Sequence, residues 1–171
     1  MKIFGVTGWR NNGKTGLMER LVAEICGRGL TVSTIKHAHH RFDVDQPGKD
    51  SYRHREAGAQ EVVLCSRHRW ALMREMRGEA EPSLQEILGR ISPVDLVLIE
   101  GYKREDHPKV EAHRTSIGKP LIAVDDPTIV ALASDIHFDG MAIPVFDLDD
   151  TKAIANFILT KVGLANETAK A

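Results

Sequence analysis

The sequence predicts an α/β protein: a mostly parallel sheet with helices on both faces and an antiparallel hairpin as an extension. Three observations carry this. Apolar strand-length runs alternate with runs of helical period. Two of the strand-like runs, "KIFGVTG" and "VDLVLIEG", are apolar almost throughout, as strands buried on both faces are. A glycine-rich turn joins the first strand directly to the first helix.

"KIFGVTG" reads as a buried strand. Residues 14–26 follow as a helix, with Leu17, Met18, Leu21, Val22 and Ile25 on one face, ended by Gly27 and Gly29. "LTVSTIK" is a second strand, expected next to the first. A polar segment, 37–50, and a short helix around "SYRHREAGA" come next. "EVVLC" and "WALMREM" suggest a hairpin across "SRHR". Ser83 and Glu86 form a Ser-x-x-Glu capping box, opening a helix with Leu84, Ile87 and Leu88 on one face. "VDLVLIEG", "KVEAHR" and "PLIAVDD" are read as strands. "TKAIANFILTKVG" is a closing helix with Ile154, Phe157, Ile158 and Val162 inward.

The 171 residues suit one domain over 1–165, with 166–171 as a frayed polar tail. Net charge is −1, so nothing global favours nucleic acid, and an anion site must be local. Cys26 and Cys65 make no disulfide framework. The N-terminus does not resemble a signal peptide, and no run approaches the roughly 20 apolar residues of a membrane span. The expected compartment is the cytoplasm.

The strongest chemical signal is 8-GWRNNGKT-15, a match to Gly-x-x-x-x-Gly-Lys-Ser/Thr. Gly8 and Gly13 let successive backbone N–H groups point at one anion. Lys14 brings a charge to the outer phosphates, and the Thr15 hydroxyl can ligate Mg²⁺. The helix beginning at Lys14 adds its positive end. Trp9, Arg10, Asn11 and Asn12 fill variable positions; Arg10 either reaches phosphate or is solvated. The sheet is therefore expected to be P-loop NTPase-like.

Mg²⁺ needs further oxygen ligands. The strand "DLVLIEG" ends in Glu100-Gly101. There Glu100 can hold a metal-bound water or orient an attacking one, and Gly101 lets a backbone N–H approach the terminal phosphate. A strand-end acid facing solvent is the plain alternative. Lys103 and Arg104 follow, as anion contacts or as a solvated turn.

The segment 37-HAHHRFDVDQPGKD-50 has three readings. His37, His39 or His40 with an aspartate can bind zinc, although no cysteine lies nearby and the spacing lacks His-x-x-x-His. It can be a solvated loop. The favoured reading uses position: the segment leaves a strand end where ligands gather in a doubly wound sheet. Asp43, Asp45 and Asp50 are then candidates for magnesium contacts. The 37–40 histidines, Lys49, Arg53 and Arg55 are candidates for an anionic ligand.

"GWRNNGKTGL", "IKHAHHRFDVDQPGKDSYRHREAGA" and "DLVLIEGYKREDHPKVEAHR" together resemble the MobB family of molybdopterin-guanine dinucleotide biosynthesis adapter proteins, from the first strand to about Asp150. The resemblance implies a P-loop fold of the SIMIBI class, GTP and Mg²⁺ binding, hydrolysis that is weak or absent, and a homodimer. It implies a role assisting the guanylyltransferase that joins GMP to molybdopterin. Carried over, the phosphate loop is Gly8 to Thr15, the acid–glycine pair Glu100-Gly101 and the linking segment His37 to Asp50. Asn11, Asn12 and Gly16 depart from the smaller residues and second hydroxyl of many relatives.

No Asn-Lys-x-Asp guanine-reading motif is present. Asp125 or Asp126 can face a guanine edge, but capping the turn at Pro127 is the favoured role. Rival functions are a P-loop phosphotransferase on a small acceptor and a metallochaperone GTPase using the histidines.

Overall fold

A computed structural model describes residues 1–38 and 42–165. In chain order the elements are β1 (Lys2–Thr7), α1 (Lys14–Gly27), β2 (Val32–Lys36), α2 (Asp50–Glu56), β3 (Glu61–Cys65), β4 (Trp70–Arg74) and α3 (Leu84–Leu88). Then come β5 (Leu96–Glu100), β6 (Lys109–His113), β7 (Ile129–Ser134), β8 (Val145–Asp147) and α4 (Thr151–Val162). Two 3-10 turns, Thr115–Ile117 and Ile122–Val124, lie between β6 and β7. Among the described residues no helix is long and apolar enough to cross a membrane.

The chain divides into two compact units, Met1–His37 with Ser92–Ala171, and Ala38–Ile91. The first holds a six-stranded sheet in the order β2-β5-β1-β6-β7-β8, every neighbouring pair parallel. All six strands therefore end at one edge.

The expectation that β2 lies beside β1 is corrected: β5 stands between them. Burial explains it. Leu96, Val97, Leu98 and Ile99 are fully buried, so β5 needs a neighbour on each side and a cover on each face. In β2 only Ile35 is buried, which suits an edge strand. The starts of β2 and β5 are pinned together: the Asp95 carboxylate accepts from the Thr31 N–H (2.7 Å) and hydroxyl (2.6 Å).

One face of the sheet packs against α1 and α4. Alternate strand residues (Phe4 and Val6, Leu96 and Leu98, Val110 and Ala112) meet Leu17, Leu21 and Ile25 of α1 and Ile154, Ala155, Ile158 and Leu159 of α4. The i, i+4, i+8 spacing in α1 puts these side chains on one stripe, each worth roughly 1.5–3 kcal/mol of burial. Arg20 locks the two helices, donating to Leu148 O (2.7 Å) and Thr151 Oγ1 (3.0 Å). Phe157 and Val162, expected inward, are partly buried against this core.

"PLIAVDD" does not form the expected strand. Ile122–Val124 is a 3-10 turn because the buried Glu111 carboxylate takes the Ile122 and Ala123 N–H groups at 3.0 and 2.8 Å. With those donors engaged by a side chain, no ladder can use them. The strand is instead the next apolar run, β7, and β8 follows it; neither was anticipated.

The second unit contains the expected hairpin. β3 and β4 pair antiparallel, Val63 opposite Leu72, and form a two-stranded sheet of their own. Ser66 N–H donates to Arg69 O (2.8 Å) to close the turn. The capping box at α3 is complete in both directions, Ser83 to Glu86 and back.

Candidate functional site

The end of β1 runs into a loop whose backbone only glycine fits at its ends. Gly8 has φ +138°, and a Cβ there would lie 2.4 Å from Ala112 O. Gly13 has φ +88°, with a Cβ position 3.1 Å from the Arg114 guanidinium. Asn11 adopts φ +68°, a conformation asparagine tolerates better than most residues. The loop thus turns tightly onto the N-terminus of α1, where unpaired N–H groups and the helix dipole favour an anion.

Lys14 starts α1 and folds back over the loop, its ammonium donating to Trp9 O at 2.7 Å. Burial lowers its pKa, Glu100 works against that, and the nearby Lys103 and Lys36 lower it further. Glu100 ends β5 with its side chain 12% exposed, 3.6 Å from the Lys36 ammonium at the end of β2. Lys103 lies 4.8 Å above the Trp9 ring. Thr15 is exposed beside them, and a cleft of about 480 Å³ runs from Thr15, Lys36 and Glu100 along α1 past Met18 and Val22.

Gly101 is required next to this cluster. Its φ is +99°, and a Cβ would sit 2.9 Å from the His37 Cβ. His37 donates its backbone N–H to Glu100 O (2.9 Å), and its ring lies against Tyr102 with centroids 4.6 Å apart. So Gly8, Gly13, Lys14, Thr15, Glu100, Gly101, His37 and Lys103 converge on one edge of the sheet. Arg10 and Arg104 belong to the same loops, both exposed, and Gly16 lies in the first turn of α1.

Other expected residues are placed differently. The Asn12 side chain is fully buried in the loop with no hydrogen-bond partner among the described residues, and its backbone N–H donates to Trp9 O (3.3 Å), so it does not face an outer ligand. Asp45, in the second unit, is bound by Arg55 at 2.9 Å with its side chain only 5% exposed, so its oxygens serve an ion pair rather than an open metal position. Asp43 and Glu75 join the same guanidinium. Lys49, Asp50 and Arg53 are exposed at α2. His39 and His40 lie outside the described residues. Among the described residues no group of three metal-ligating side chains occurs. Asp126 accepts from the Thr128 N–H (2.9 Å) and so caps the Pro127 turn, before β7 and away from the ligand edge.

Lys36 and Arg114 are not among the residues expected from the sequence, and Trp9 has no role there beyond a variable position of the loop. Lys36 ends β2 and Arg114 directly follows β6 at the ligand edge, and that position is the available signal.

A parallel sheet, a glycine loop between β1 and α1, and converging lysines at the carboxyl edge define a phosphate-loop protein. Residues 3–135 match the family model described as MobB, molybdopterin guanine dinucleotide synthesis protein B. The chain belongs to that family. It is 38% identical to the molybdopterin-guanine dinucleotide biosynthesis adapter protein of Escherichia coli over 160 residues, covering 92% of this chain and 91% of the relative. It is 38% identical to the Haemophilus influenzae protein of the same name over 159 residues, covering 91% and 86%. A crystal structure of molybdopterin-guanine biosynthesis protein B superposes with TM-score 0.74 at 28% identity, covering 93% of this chain and 99% of that one. The MobB homolog of Bacillus stearothermophilus gives 0.68 at 27%, covering 95% and 99%.

Proposed function

We propose that this protein binds GTP with Mg²⁺ and acts as an adapter for the guanylyltransferase that converts molybdopterin to its guanine dinucleotide form. The observation that carries the nucleotide part is charge. Lys14, Lys36 and Lys103 gather around a glycine cradle; Glu100 faces Lys14 and Lys36, and the buried Glu111 carboxylate, which also takes two backbone N–H groups, faces Lys103. Such a surplus of cations over a row of backbone N–H groups suits a polyphosphate. The adapter role follows from the names of the relatives.

The residues fit the nucleotide and its metal. Lys14 would hold outer phosphates, the exposed Thr15 hydroxyl would ligate Mg²⁺, and Glu100 would support a metal-bound water. Bound Mg²⁺ would supply charge neutralisation between phosphates. The Glu100 carboxylate is turned to the Lys36 ammonium rather than held for an attacking water, in keeping with weak hydrolysis or none. The protein works in the cytoplasm as a homodimer in this reading. Support for self-association comes from the hairpin, which exposes Val63, Leu72 and Trp70 on one face.

The test is calorimetric titration with GTP and with ATP, each with Mg²⁺, followed by addition of the guanylyltransferase. GTP preference and stimulation of that enzyme, without turnover by this protein alone, are expected. Equal binding of both nucleotides, or rapid turnover with a small acceptor, would replace the adapter with a phosphotransferase.

A further inference from the structure

Trp9 is the second residue of the phosphate loop and has three separate ties. Its indole N–H donates to Pro120 O at 2.7 Å, joining the loop to the segment after β6. Its carbonyl accepts from the Lys14 ammonium at 2.7 Å. Its ring carries the Lys103 ammonium 4.8 Å from the centroid.

Together these ties locate Lys103. The Lys14 ammonium is the group that reaches the outermost phosphates of a bound nucleotide. It rests on the Trp9 carbonyl, so Trp9 marks the outer-phosphate end of the loop. Lys103 sits on that residue's ring and therefore at the same end. A lysine side chain loses rotamer entropy on being ordered. The cation–π contact offsets part of that loss in advance. The geometry also brings two like charges together: Lys103 is among the groups that depress the Lys14 pKa. An anion between the two ammoniums relieves that repulsion, and a terminal phosphate is the anion that arrives there.

We propose that Lys103, held on the Trp9 ring, contacts the terminal phosphate and makes the loop distinguish a nucleoside triphosphate from a diphosphate. Trp9 is the positioning residue. The inference rests on the nucleotide-binding reading above. It adds a sensing function to a residue at which the sequence offered only a contact or a solvated turn.

The experiment titrates GDP and a non-hydrolysable GTP analogue, with Mg²⁺, into the wild-type protein, Lys103→Gln, Lys103→Arg, Trp9→Phe, Trp9→Ala and the Trp9→Ala/Lys103→Gln double variant. Lys103→Gln should lose about tenfold for the triphosphate and less than about twofold for the diphosphate, the size of one charge-assisted contact. Lys103→Arg should restore the preference, and Trp9→Phe, which keeps a ring, should retain most of it. The double variant should be no worse than Lys103→Gln alone, because the two residues act as one unit. Equal losses for both nucleotides, or additive losses in the double variant, would overturn the inference. Should Trp9→Ala fail to fold, the Lys103 pair and Trp9→Phe still decide it. Wild-type protein that binds neither nucleotide removes the nucleotide reading itself. Wild-type binding with an unaltered preference in Lys103→Gln removes only the sensor.

Discussion

The phosphate loop and the Arg55 network both concentrate charge, and they treat it in opposite ways. Around the loop, Lys14 and Lys36 share Glu100, and Lys103 lies beside Lys14 and feels the buried Glu111 carboxylate. In the second unit one guanidinium, Arg55, meets three carboxylates, Asp43 at 2.8 Å, Asp45 at 2.9 Å and Glu75 at 3.2 Å. Those carboxylates hold its pKa above the ordinary arginine value. It also lies 4.9 Å from the Tyr52 ring centroid. The first cluster has cation in excess and needs a ligand to balance it. The second has carboxylate in excess, and its single cation is fully engaged, so it offers nothing to an anion. Cationic charge that no carboxylate has taken up marks an anion site better than charge density does.

The sharpest way to break this contrast is Lys14→Ala. Removing the charge should weaken nucleotide binding about 100-fold, a charge-assisted contact near 2.7 kcal/mol. The melting temperature should hold or rise, since one of the like charges facing Lys36 and Lys103 is gone. Calorimetry and thermal denaturation read the two quantities separately. A folded variant with wild-type affinity would mean that the loop does not hold phosphate.

How much of this was legible in the sequence follows the same division. The loop, α1 and the acid at the end of β5 were readable because their signals are local: glycines at fixed spacing, a 3.6-residue period and an apolar run with a terminal carboxylate. The β5 insertion between β2 and β1 was not, because strand order depends on comparing burial across the whole sheet. "PLIAV" and "TIVAL" have almost the same β-propensity; what separates them is the Glu111 carboxylate, eleven residues before Ile122, taking two N–H groups. Asp45 looked like a metal ligand because sequence cannot show that Arg55 occupies it. The role of Lys36 depended on knowing which strand ends lie side by side.

A third treatment of charge occurs at His107, and it yields the next largest effect. The ring is 6% exposed, and neither nitrogen has a hydrogen-bond partner among the described residues. It lies against Gly5, whose Cβ position would be 2.7 Å from Nε2. Burial first, and then the Lys109 ammonium, lower its pKa to about 4 from 6.5. The unfolded chain therefore binds a proton that the folded one refuses between those values. This stability is fully present above pH 6.5 and is lost as pH falls towards 4. From pH 7.5 to pH 5 the loss is about 2 kcal/mol. His107→Phe keeps a flat ring over Gly5 and should remove that part of the acid-side loss. Urea denaturation of both proteins at the two pH values measures it. An unchanged difference between the pH values would show that His107 is protonated in the folded state without penalty.

Arg55→Met is predicted to have the smallest effect on binding and so tests the other half of the comparison. It keeps most of the stem against Tyr52 and removes the charge, leaving Asp45 and its two companion carboxylates to repel one another. The variant should melt at a lower temperature, and the deficit should shrink with added salt as the carboxylates are screened. Its affinity for GTP should stay within about twofold of wild type, because a cation already held by three carboxylates is not free to meet a phosphate. The paired variant Asp45→Asn should behave alike: less stable, with Mg²⁺-dependent nucleotide binding intact. A loss of Mg²⁺ dependence in Asp45→Asn would return that aspartate to the metal site and make the Arg55 pair a resting arrangement that the ligand displaces. The contrast between a satisfied cluster and an unsatisfied one would then be a difference between two states of the protein, not between two regions of it.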